Sequence, residues 1–262
     1  MKQYSLKEDM KNGKPLMGIW AQTASPETVE MIGCSGYDFA IVDMEHGCMG
    51  VETAESLVRA ADAMNLPVLV RVLDNQPSMI MKALDSGAAG VLVPGISCKA
   101  DALKAVSAAK YAPMGIRGAC PFVRSVDHFA ANMDSLLEHN GTNIVVLLVE
   151  GKQAVEEFDD IVSIPGVDGI ITGPVDLSFS LGVGGQINHP KVREAIEGMI
   201  KKSRAANVPM IANIFSTDPA EIARQARNLA AIGVPTVICN SDKTALLTGL
   251  RIFSDGVRQG RG

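Results

Sequence analysis

Four short stretches of the sequence place ionisable residues at the end of an apolar run. They are YDFAIVDMEHG (37–47), VLVRV (68–72), IVVLLVE (144–150) and GIITGPVD (169–176). Each predicts a buried strand whose last residues carry chemistry, and these residues are Asp43, Glu45, His46, Arg71, Glu150 and Asp176. Strand carboxyl ends of a (β/α)₈ barrel converge on the face where enzymes of that fold place their catalysis. The four stretches therefore indicate one metal-assisted active site.

Glu150 and Asp176 are the candidate ligands of a divalent cation. A carboxylate that ends a buried run is costly unless it is paired or binds a metal. The alternative is that each carboxylate caps the helix that follows it, as Asp commonly does. Two carboxylates completed by waters are the usual way to hold Mg²⁺ or Mn²⁺, whereas Zn²⁺ requires more His or Cys ligands.

The spacing D-x-x-H brings Asp43 and His46 into one strand-end loop. An Asp that hydrogen-bonds one imidazole nitrogen fixes the tautomer and raises the basicity of the other nitrogen. His46 is therefore a candidate general base, and the alternative is a surface-loop histidine without a role. Glu45, between the two, fits a helix cap or a loop salt bridge as well as it fits a functional role.

Arg71 follows three buried aliphatic residues, so its guanidinium must find an anion. A structural ion pair with Asp43 or Glu45 is one interpretation. The other is a clamp on a substrate carboxylate or on a developing enolate oxygen. In the loop GIRGACPFVRS, Arg117 and Arg124 are candidates to bind a distal carboxylate of the substrate, although surface solvation explains Arg124 equally well.

A recurring order of helix, glycine and strand defines the elements that position these residues. In CSGYDFAIVD, DSGAAGVLVP, IPGVDGIITGP and AIGVPTVICN, the glycine lies where a helix would stop in the left-handed conformation. Eight strands are predicted, at 16–20, 38–43, 67–72, 90–94, 144–150, 168–172, 209–214 and 235–239. Helices are predicted at 25–34, 51–64, 76–85, 99–109, 126–139, 152–161, 190–206, 218–231 and 242–258.

The alternation of eight apolar strands with helices predicts an α/β fold, a closed (β/α)₈ TIM barrel in a single domain over residues 1–262. Hydrophobic residues make up 47% of the chain and aromatic residues only 4%, as suits a helix-covered parallel sheet built from small aliphatic residues. No predicted strand contains a lysine, which argues against a Schiff-base aldolase. The glycine-rich GVGGQ (182–186) is interpreted as a loop.

Composition also excludes several classes of protein. The net charge is −5, so no basic surface for nucleic acid is indicated. No apolar stretch reaches the roughly 18 residues that a membrane span needs. The first 14 residues lack the apolar region of a secretion signal. Five widely spaced cysteines without C-x-x-C indicate reduced thiols and a cytoplasmic protein.

Taken together, DMEHG (43–47), LVR (69–71), LVE (148–150) and GPVDLS (173–178) resemble the HpcH/HpaI aldolases, a family of metal-dependent, pyruvate-specific enzymes. The resemblance runs from GIW (18–20) through LDSGA (84–88) and YAPMGIRG (111–118). It implies a modified barrel in which a helix is exchanged between neighbouring subunits, here the C-terminal one, commonly in a homohexamer. The amphipathic segment 242–260 leaves open whether it packs on its own barrel or on another subunit.

The resemblance also implies roles for individual residues. Glu150 and Asp176 would bind Mg²⁺, Mn²⁺ or Co²⁺, His46 would be the base supported by Asp43, and Arg71 would stabilise a pyruvate enolate. Asp85, in LDSGA, would help to build the site, in a neighbouring subunit if not in its own. The backbone of the segment from Gly173 through Pro174 and Val175 to Asp176 would hold the carboxylate of pyruvate.

The implied reaction is reversible cleavage of a 4-hydroxy-2-oxo acid to pyruvate and an aldehyde. The sequence departs from the family pattern at Leu148, where many members have Gln, at Val175, where Ala is usual, and in DMEHGCMG after the second strand. These departures leave the metal ligands and the base intact but leave the aldehyde unidentified. They also leave open an oxaloacetate decarboxylase or another enolate-forming lyase or synthase. A non-enzymatic oligomeric scaffold is the third hypothesis.

Overall fold

Eight parallel strands close into a barrel in chain order, with β8 hydrogen-bonded to β1. The computed structural model describes residues 4–130 and 134–259. The strands are β1 Leu16–Ala21, β2 Phe39–Asp43, β3 Val68–Arg71, β4 Gly90–Val93, β5 Ile144–Val149, β6 Gly169–Thr172, β7 Met210–Ile214 and β8 Thr236–Ser241. All eight predicted strands are confirmed, each end falling within two residues of its predicted position, and with them the (β/α)₈ barrel.

Helices follow the strands around the outside of the barrel, except the first, which precedes β1. They are α1 Leu6–Lys11, α2 Pro26–Cys34, α3 Val51–Ala63, α4 Pro77–Asp85, α5 Lys99–Ala109, α6 Asp134–Leu137, α7 His139–Thr142, α8 Lys152–Glu156, α9 Phe158–Val162, α10 Pro174–Ser180, α11 Pro190–Ala205, α12 Pro219–Ala231 and α13 Asp242–Gln259. The sequence analysis did not predict α1, whose buried Leu6 and Met10 pack into the barrel interior from its amino-terminal end.

The helix predicted over 126–139 is wrong as one continuous element. A 3₁₀ turn at Arg124–Val126 is followed by Asp127 and His128 in the left-handed region, with φ of 55° and 64°, which ends any helix there. The short helices α6 and α7 occupy the rest of the segment that is described. The part of the predicted helix at 131–133 lies outside the described residues.

The four glycines predicted to end helices are confirmed in the left-handed conformation. Gly36, Gly87, Gly166 and Gly233 have φ of 81°, 91°, 98° and 88°. Each lies between the end of a helix and the next strand, where a side chain would be strained. The GVGGQ segment is a turn, as predicted.

Alternate residues of each strand face opposite sides of the barrel wall. The interior cluster contains Phe39 and Ile41 of β2, Leu69 of β3, and Ile144 and Leu148 of β5. Their neighbours along the strands, such as Val42, Val70 and Val149, belong to the larger cluster between the barrel and its helices. This parity decides which residues reach the barrel mouth. Within the described chain, the helices are all too short or too polar to cross a membrane.

Candidate active site

The parity of the strands brings the predicted residues together at one end of the barrel. Asp43 continues the interior positions of β2, Arg71 those of β3 and Glu150 those of β5, each two residues beyond an interior aliphatic side chain. All three therefore point toward the barrel axis at the carboxyl ends of the strands. The same rule places Trp20, Gly173, Asn213 and Asn240 at this mouth.

Asp43 and Arg71 form a buried bidentate ion pair. They are register partners on β2 and β3, which sets their side chains next to each other. Arg71 donates from Nε to Asp43 Oδ1 at 2.8 Å and from Nη2 to Oδ2 at 2.6 Å. Burial by itself would raise the pKa of Asp43, but the hydrogen bonds and charge of Arg71 outweigh it and lower that pKa. Asp43 is therefore a fixed negative charge that orients the guanidinium.

The predicted contact between the Asp43 carboxylate and the His46 imidazole is not what the structure shows. Oδ1 of Asp43 instead accepts the main-chain N–H groups of Glu45 at 3.1 Å and His46 at 3.2 Å. Gln22 Nε2 donates to Oδ2 at 2.8 Å. With Arg71 these donors occupy both oxygens, so Asp43 shapes the loop that carries His46. The His46 side chain itself is exposed at the mouth.

Arg71 has two further neighbours at the mouth. Its Nη1 lies 2.9 Å from Glu45 Oε2, and its guanidinium lies over the ring of Trp20 at 4.4 Å from the ring centre. The structural ion pair considered for Arg71 is therefore present with both Asp43 and Glu45. Each guanidinium nitrogen of Arg71 thus already lies next to a carboxylate oxygen, although both terminal nitrogens carry a second N–H that can donate to an anion.

Glu150 lies among like charges. Burial, then the charges of Asp176 and Glu45, raise the pKa of Glu150 to about 7, while Arg71 opposes the shift. Burial also raises the pKa of Glu45. Three carboxylates thus surround one guanidinium that is already paired with Asp43. This surplus of negative charge is what a bound cation would neutralise.

The local backbone holds Glu150 beside the start of α10. A Cβ at Gly173 would lie 2.2 Å from Glu150 Oε2 and 3.0 Å from its Cβ, so glycine allows Glu150 to keep this position. The helix-cap alternative for both acids is wrong. Gly151 is the N-cap of α8 and Gly173 that of α10, whereas Asp176 lies within the first turn of α10.

The donor set fits a hard divalent ion with an incomplete protein shell. Across 4–130 and 134–259, no three His, Cys, Asp or Glu side chains converge to form a complete metal site. Glu150 and Asp176 would supply two oxygen ligands, and water or substrate would supply the others. Mg²⁺ is commonly held in this way, whereas a structural Zn²⁺ site needs a closed set of ligands.

Asp85 and Arg117 lie at the opposite end of the barrel. Asp85 ends α4 and Arg117 follows α5, and these helix ends face the amino-terminal side of the strands. Arg117 Nη2 donates to Asp85 Oδ1 at 2.7 Å, and its guanidinium lies 4.6 Å from the ring centre of Tyr111. The prediction that Arg117 binds substrate is therefore not met in its own barrel, because the side chain is buried in a distant ion pair.

Arg124 is also held at that end. It pairs with Asp62 and donates from Nη1 to the Ser86 carbonyl at 2.9 Å. Neither simple solvation nor substrate binding in its own barrel describes it. The contact anchors the 111–130 loop to the base of α3.

Three mouth residues were missed by the sequence analysis. Trp20 Nε1 donates to Asn213 Oδ1 at 2.9 Å, and Asn213 Nδ2 donates to the Thr172 carbonyl at 3.3 Å. Gln22 holds Asp43 from the turn after β1. The signal for Trp20 and Asn213 was present, because each lies two residues beyond an inward position of its strand. Neither residue is ionisable, so a criterion of charged strand ends does not select them.

Comparison with known proteins gives consistent matches. The profile of the family described as HpcH/HpaI aldolase/citrate lyase matches residues 16–241. A 4-hydroxy-2-oxo-heptane-1,7-dioate aldolase of Salmonella arizonae is 33% identical over 202 residues, 77% of each chain. A 5-keto-4-deoxy-D-glucarate aldolase of Escherichia fergusonii is 32% identical over 249 residues, 93% of this chain and 92% of that one. The crystal structure of an HpcH/HpaI aldolase/citrate lyase family protein from Burkholderia cenocepacia superimposes with a TM-score of 0.88 at 32% identity, covering 97% of this chain and 99% of that one.

Proposed function

The chain belongs to the HpcH/HpaI aldolase/citrate lyase family, and from that premise we propose that it is a divalent-metal-dependent aldolase. The proposed reaction is the reversible cleavage of a 4-hydroxy-2-oxo acid into pyruvate and an aldehyde. Both relatives compared above are named as aldolases of oxidised, oxygen-rich acids, which supports this substrate class.

The observation that carries the proposal is the charge imbalance at the barrel mouth. Glu150, Asp176 and Glu45 are close enough that burial and their mutual repulsion raise the pKa of Glu150 to about 7. A divalent cation between Glu150 and Asp176 would remove that repulsion and return Glu150 to its ionised form. Bound there, Mg²⁺, Mn²⁺ or Co²⁺ would supply Lewis-acid polarisation of the 2-oxo group of the substrate.

His46 would transfer the proton during cleavage, and Arg71 would stabilise the negative charge that develops. His46 removes the proton of the C4 hydroxyl, the C4–O bond becomes the aldehyde carbonyl, and the C3–C4 bond breaks. The electron pair of the broken C3–C4 bond stays with C3 and forms the pyruvate enolate, which is then protonated at C3. Arg71, held by Asp43, donates to the enolate oxygen as negative charge develops there.

The first turn of α10 would bind the carboxylate of the 2-oxo acid. The main-chain N–H groups of Val175 and Asp176 are unused by helix hydrogen bonds at this position, whereas Pro174 has no N–H to donate. Gly173 serves the site by leaving space for Glu150. Val175 is 43% exposed and would border the substrate.

The direct test is release of pyruvate from 4-hydroxy-2-oxo acids by the purified protein. We expect activity with added Mg²⁺, Mn²⁺ or Co²⁺, loss of activity in EDTA, and recovery when excess metal is restored. Glu150→Gln should prevent recovery at metal concentrations that restore the parent. Full turnover in chelator would contradict the two-carboxylate assignment.

Decarboxylation of oxaloacetate is the alternative reaction at the same site. Leu148, in place of the family's usual Gln, lies 4% exposed one interior layer below Glu150 and can hold neither water nor substrate by a hydrogen bond. This departure from the family pattern leaves the acceptor of the enolate open. Turnover of oxaloacetate far above that of 4-hydroxy-2-oxo acids would favour this alternative.

The outer surface supports exchange of α13 between subunits of a homohexamer. Asp242 is the only residue of α13 that is buried, and α12 buries none of its residues. The exposed apolar side chains of α13 are Leu246, Leu247, Leu250, Ile252, Phe253 and Val257. Leu246, Leu250, Phe253 and Val257 recur at helical spacing, and an exposed apolar face of this kind is typical of a protein–protein interaction site. Light scattering should give the mass of six chains, and a monomer would contradict this assembly.

In such an assembly, Asp85 could serve the mouth of a neighbouring barrel. It lies at the end of the barrel opposite Glu150, so it cannot reach the site of its own chain. Asp85 is partly accessible, with 16% of its side chain exposed. We assign it to a site shared between subunits.

A further inference from the structure

We propose that Gln22 and Asp242 are positioning residues that connect the foot of α13 to the arginine of the barrel mouth. The turn after β1 lies between the start of α13 and the Asp43–Arg71 pair. It hydrogen-bonds to both, and the resulting chain of contacts fixes where Arg71 stands. The consequence for turnover rests on the proposed function, but the placement of Arg71 can be measured without any substrate.

Asp242 fixes the main chain of this turn. It is buried, with 5% of its surface exposed, and it is the first residue of α13. Its Oδ1 accepts the N–H of Gln22 at 3.0 Å, and its Oδ2 accepts the N–H of Thr23 at 2.9 Å and the Thr23 hydroxyl at 2.5 Å. A carboxylate is the only side chain of this size that offers acceptors to all three donors. The turn after β1 is therefore tied to α13.

Gln22 connects Asp242 to the ion pair at the mouth. With its main chain held by Asp242, its amide Nε2 donates to Asp43 Oδ2 at 2.8 Å. The same oxygen accepts from Arg71 Nη2 at 2.6 Å. Hydrogen bonds to a charged acceptor are among the stronger ones in proteins, and Asp43 is fully buried. Without Gln22, Oδ2 would keep Arg71 as its one side-chain donor within the described chain, and the position of the ion pair would depend on the contacts of Oδ1.

A built-in reporter makes the placement of Arg71 measurable. Trp20 is the single tryptophan of the chain, and the Arg71 guanidinium lies over its ring at 4.4 Å. Displacement of Arg71 changes the charge and the solvent access at the indole. Tryptophan emission of the folded protein therefore reports this contact in the absence of substrate or metal.

The experiment compares Gln22→Met and Asp242→Asn with the parent protein. We expect tryptophan emission to shift to longer wavelength, and acrylamide quenching to increase, in both variants below their unfolding temperatures. We expect turnover to fall about tenfold in Gln22→Met, because small misplacements of a catalytic group are costly. The matched control is Gln225→Met, which removes a half-buried glutamine on α12 whose amide bonds Glu221 instead.

A double variant tests whether the two residues act in one chain. If Asp242 acts through Gln22, adding Asp242→Asn to Gln22→Met should leave emission and quenching at the values of Gln22→Met alone. Fully additive changes in emission and quenching would overturn the proposal that Asp242 acts through Gln22. Unchanged emission in both single variants, or an equal shift in Gln225→Met, would also overturn it. A protein that shows the emission shifts but releases no pyruvate would refute the proposed function and leave this inference standing.

Discussion

The two ends of the barrel carry a similar trio of side chains in different electrostatic surroundings. Each end has a buried arginine that donates to an aspartate and lies over an aromatic ring at about the same distance. The groups are Arg71, Asp43 and Trp20 at the mouth, and Arg117, Asp85 and Tyr111 at the base. An arginine–aspartate pair in this geometry is thus no indicator of catalysis by itself.

The neighbours of each pair make the difference. At the mouth, Glu45 and Glu150 add negative charge, and burial with like charges raises the pKa of Glu150 to about 7. At the base, Nε and Nη1 of Arg117 are buried without a hydrogen-bond partner in the described chain. Nearby Lys110 has a pKa lowered to about 8, chiefly by burial. The mouth therefore has a surplus of negative charge that suits a cation, whereas the base has more buried cationic donors than acceptors.

The largest expected effect is that of His46→Ala at the mouth. Loss of a general base typically costs about 10²–10⁴-fold in rate, and we expect turnover to fall within that range. Because the His46 side chain is exposed and Asp43 bonds only its main chain, thermal unfolding should be unchanged. Pyruvate release and calorimetry of the purified variant measure both. Near-normal turnover would remove His46 from the mechanism.

Arg71→Lys and Arg117→Lys test whether the two arginines have different roles. Lysine keeps the charge but cannot donate bidentately or stack as a plane. We expect Arg71→Lys to lose about 10²–10³-fold in turnover, the cost of one oxyanion donor. Arg117→Lys should mainly lower the unfolding temperature. Arg59→Lys, in an exposed pair on α3, is the control. Equal losses of turnover at Arg71 and Arg59 would refute the clamp.

Mixing two inactive variants tests whether the base of one barrel serves the mouth of another. Arg71→Lys chains retain Asp85, and Asp85→Asn chains retain Arg71 along with an oxygen acceptor for Arg117. The two variants are mixed in equal amounts, unfolded and refolded together. Under random assembly about one site in four has Arg71 from one chain and Asp85 from its neighbour, so the mixture should regain about a quarter of parental activity. Each variant refolded alone is the control. Failure of the mixture to exceed the controls would mean that Asp85 contributes to no site shared between subunits.

The fold was predictable because its signals are local and repeated. Four of the apolar strands are preceded by a glycine that ends a helix, and Gly36, Gly87, Gly166 and Gly233 all adopt the expected conformation. The segment after α5 was not predictable in the same way. Its helix is broken by Asp127 and His128, which are not glycine and yet occupy the left-handed region. Nothing in their residue types alone requires that conformation.

The candidate site was predictable to the extent that it consists of ionisable strand ends. The strand parity that brings Asp43, Arg71 and Glu150 together follows from period-two alternation. The hydrogen-bond partners of these three residues were harder to predict from the sequence, because they depend on how the barrel closes. Gln22 reaches Asp43 from the turn after β1. Asp43 accepts a hydrogen bond from the main-chain N–H of His46, whereas the sequence predicts a contact with the imidazole ring.

The smallest expected effect on turnover is that of a substitution at Lys110, which should change only the stability of the protein. Its side chain is almost fully buried, and its Nζ donates to the carbonyls of Asn140 at 2.8 Å and Asn143 at 3.1 Å. Burial lowers the pKa of Lys110 from 10.5 to about 8, so between these values the unfolded chain binds a proton that the folded chain has released. Stability therefore rises with pH across this window, by up to about 1.4 kcal/mol per pH unit.

Lys110→Met should abolish that rise and leave turnover unchanged per folded molecule. Urea denaturation at several pH values between 7.5 and 10 should show the parent gaining stability over the variant as pH increases. Lys201→Met, an exposed lysine on α11, should follow the parent curve throughout. A constant difference between Lys110→Met and the parent across this range would mean that Lys110 remains protonated in the fold. The excess of cationic donors at the base would then be a full charge, and the two ends of the barrel would differ more strongly than the lowered pKa implies.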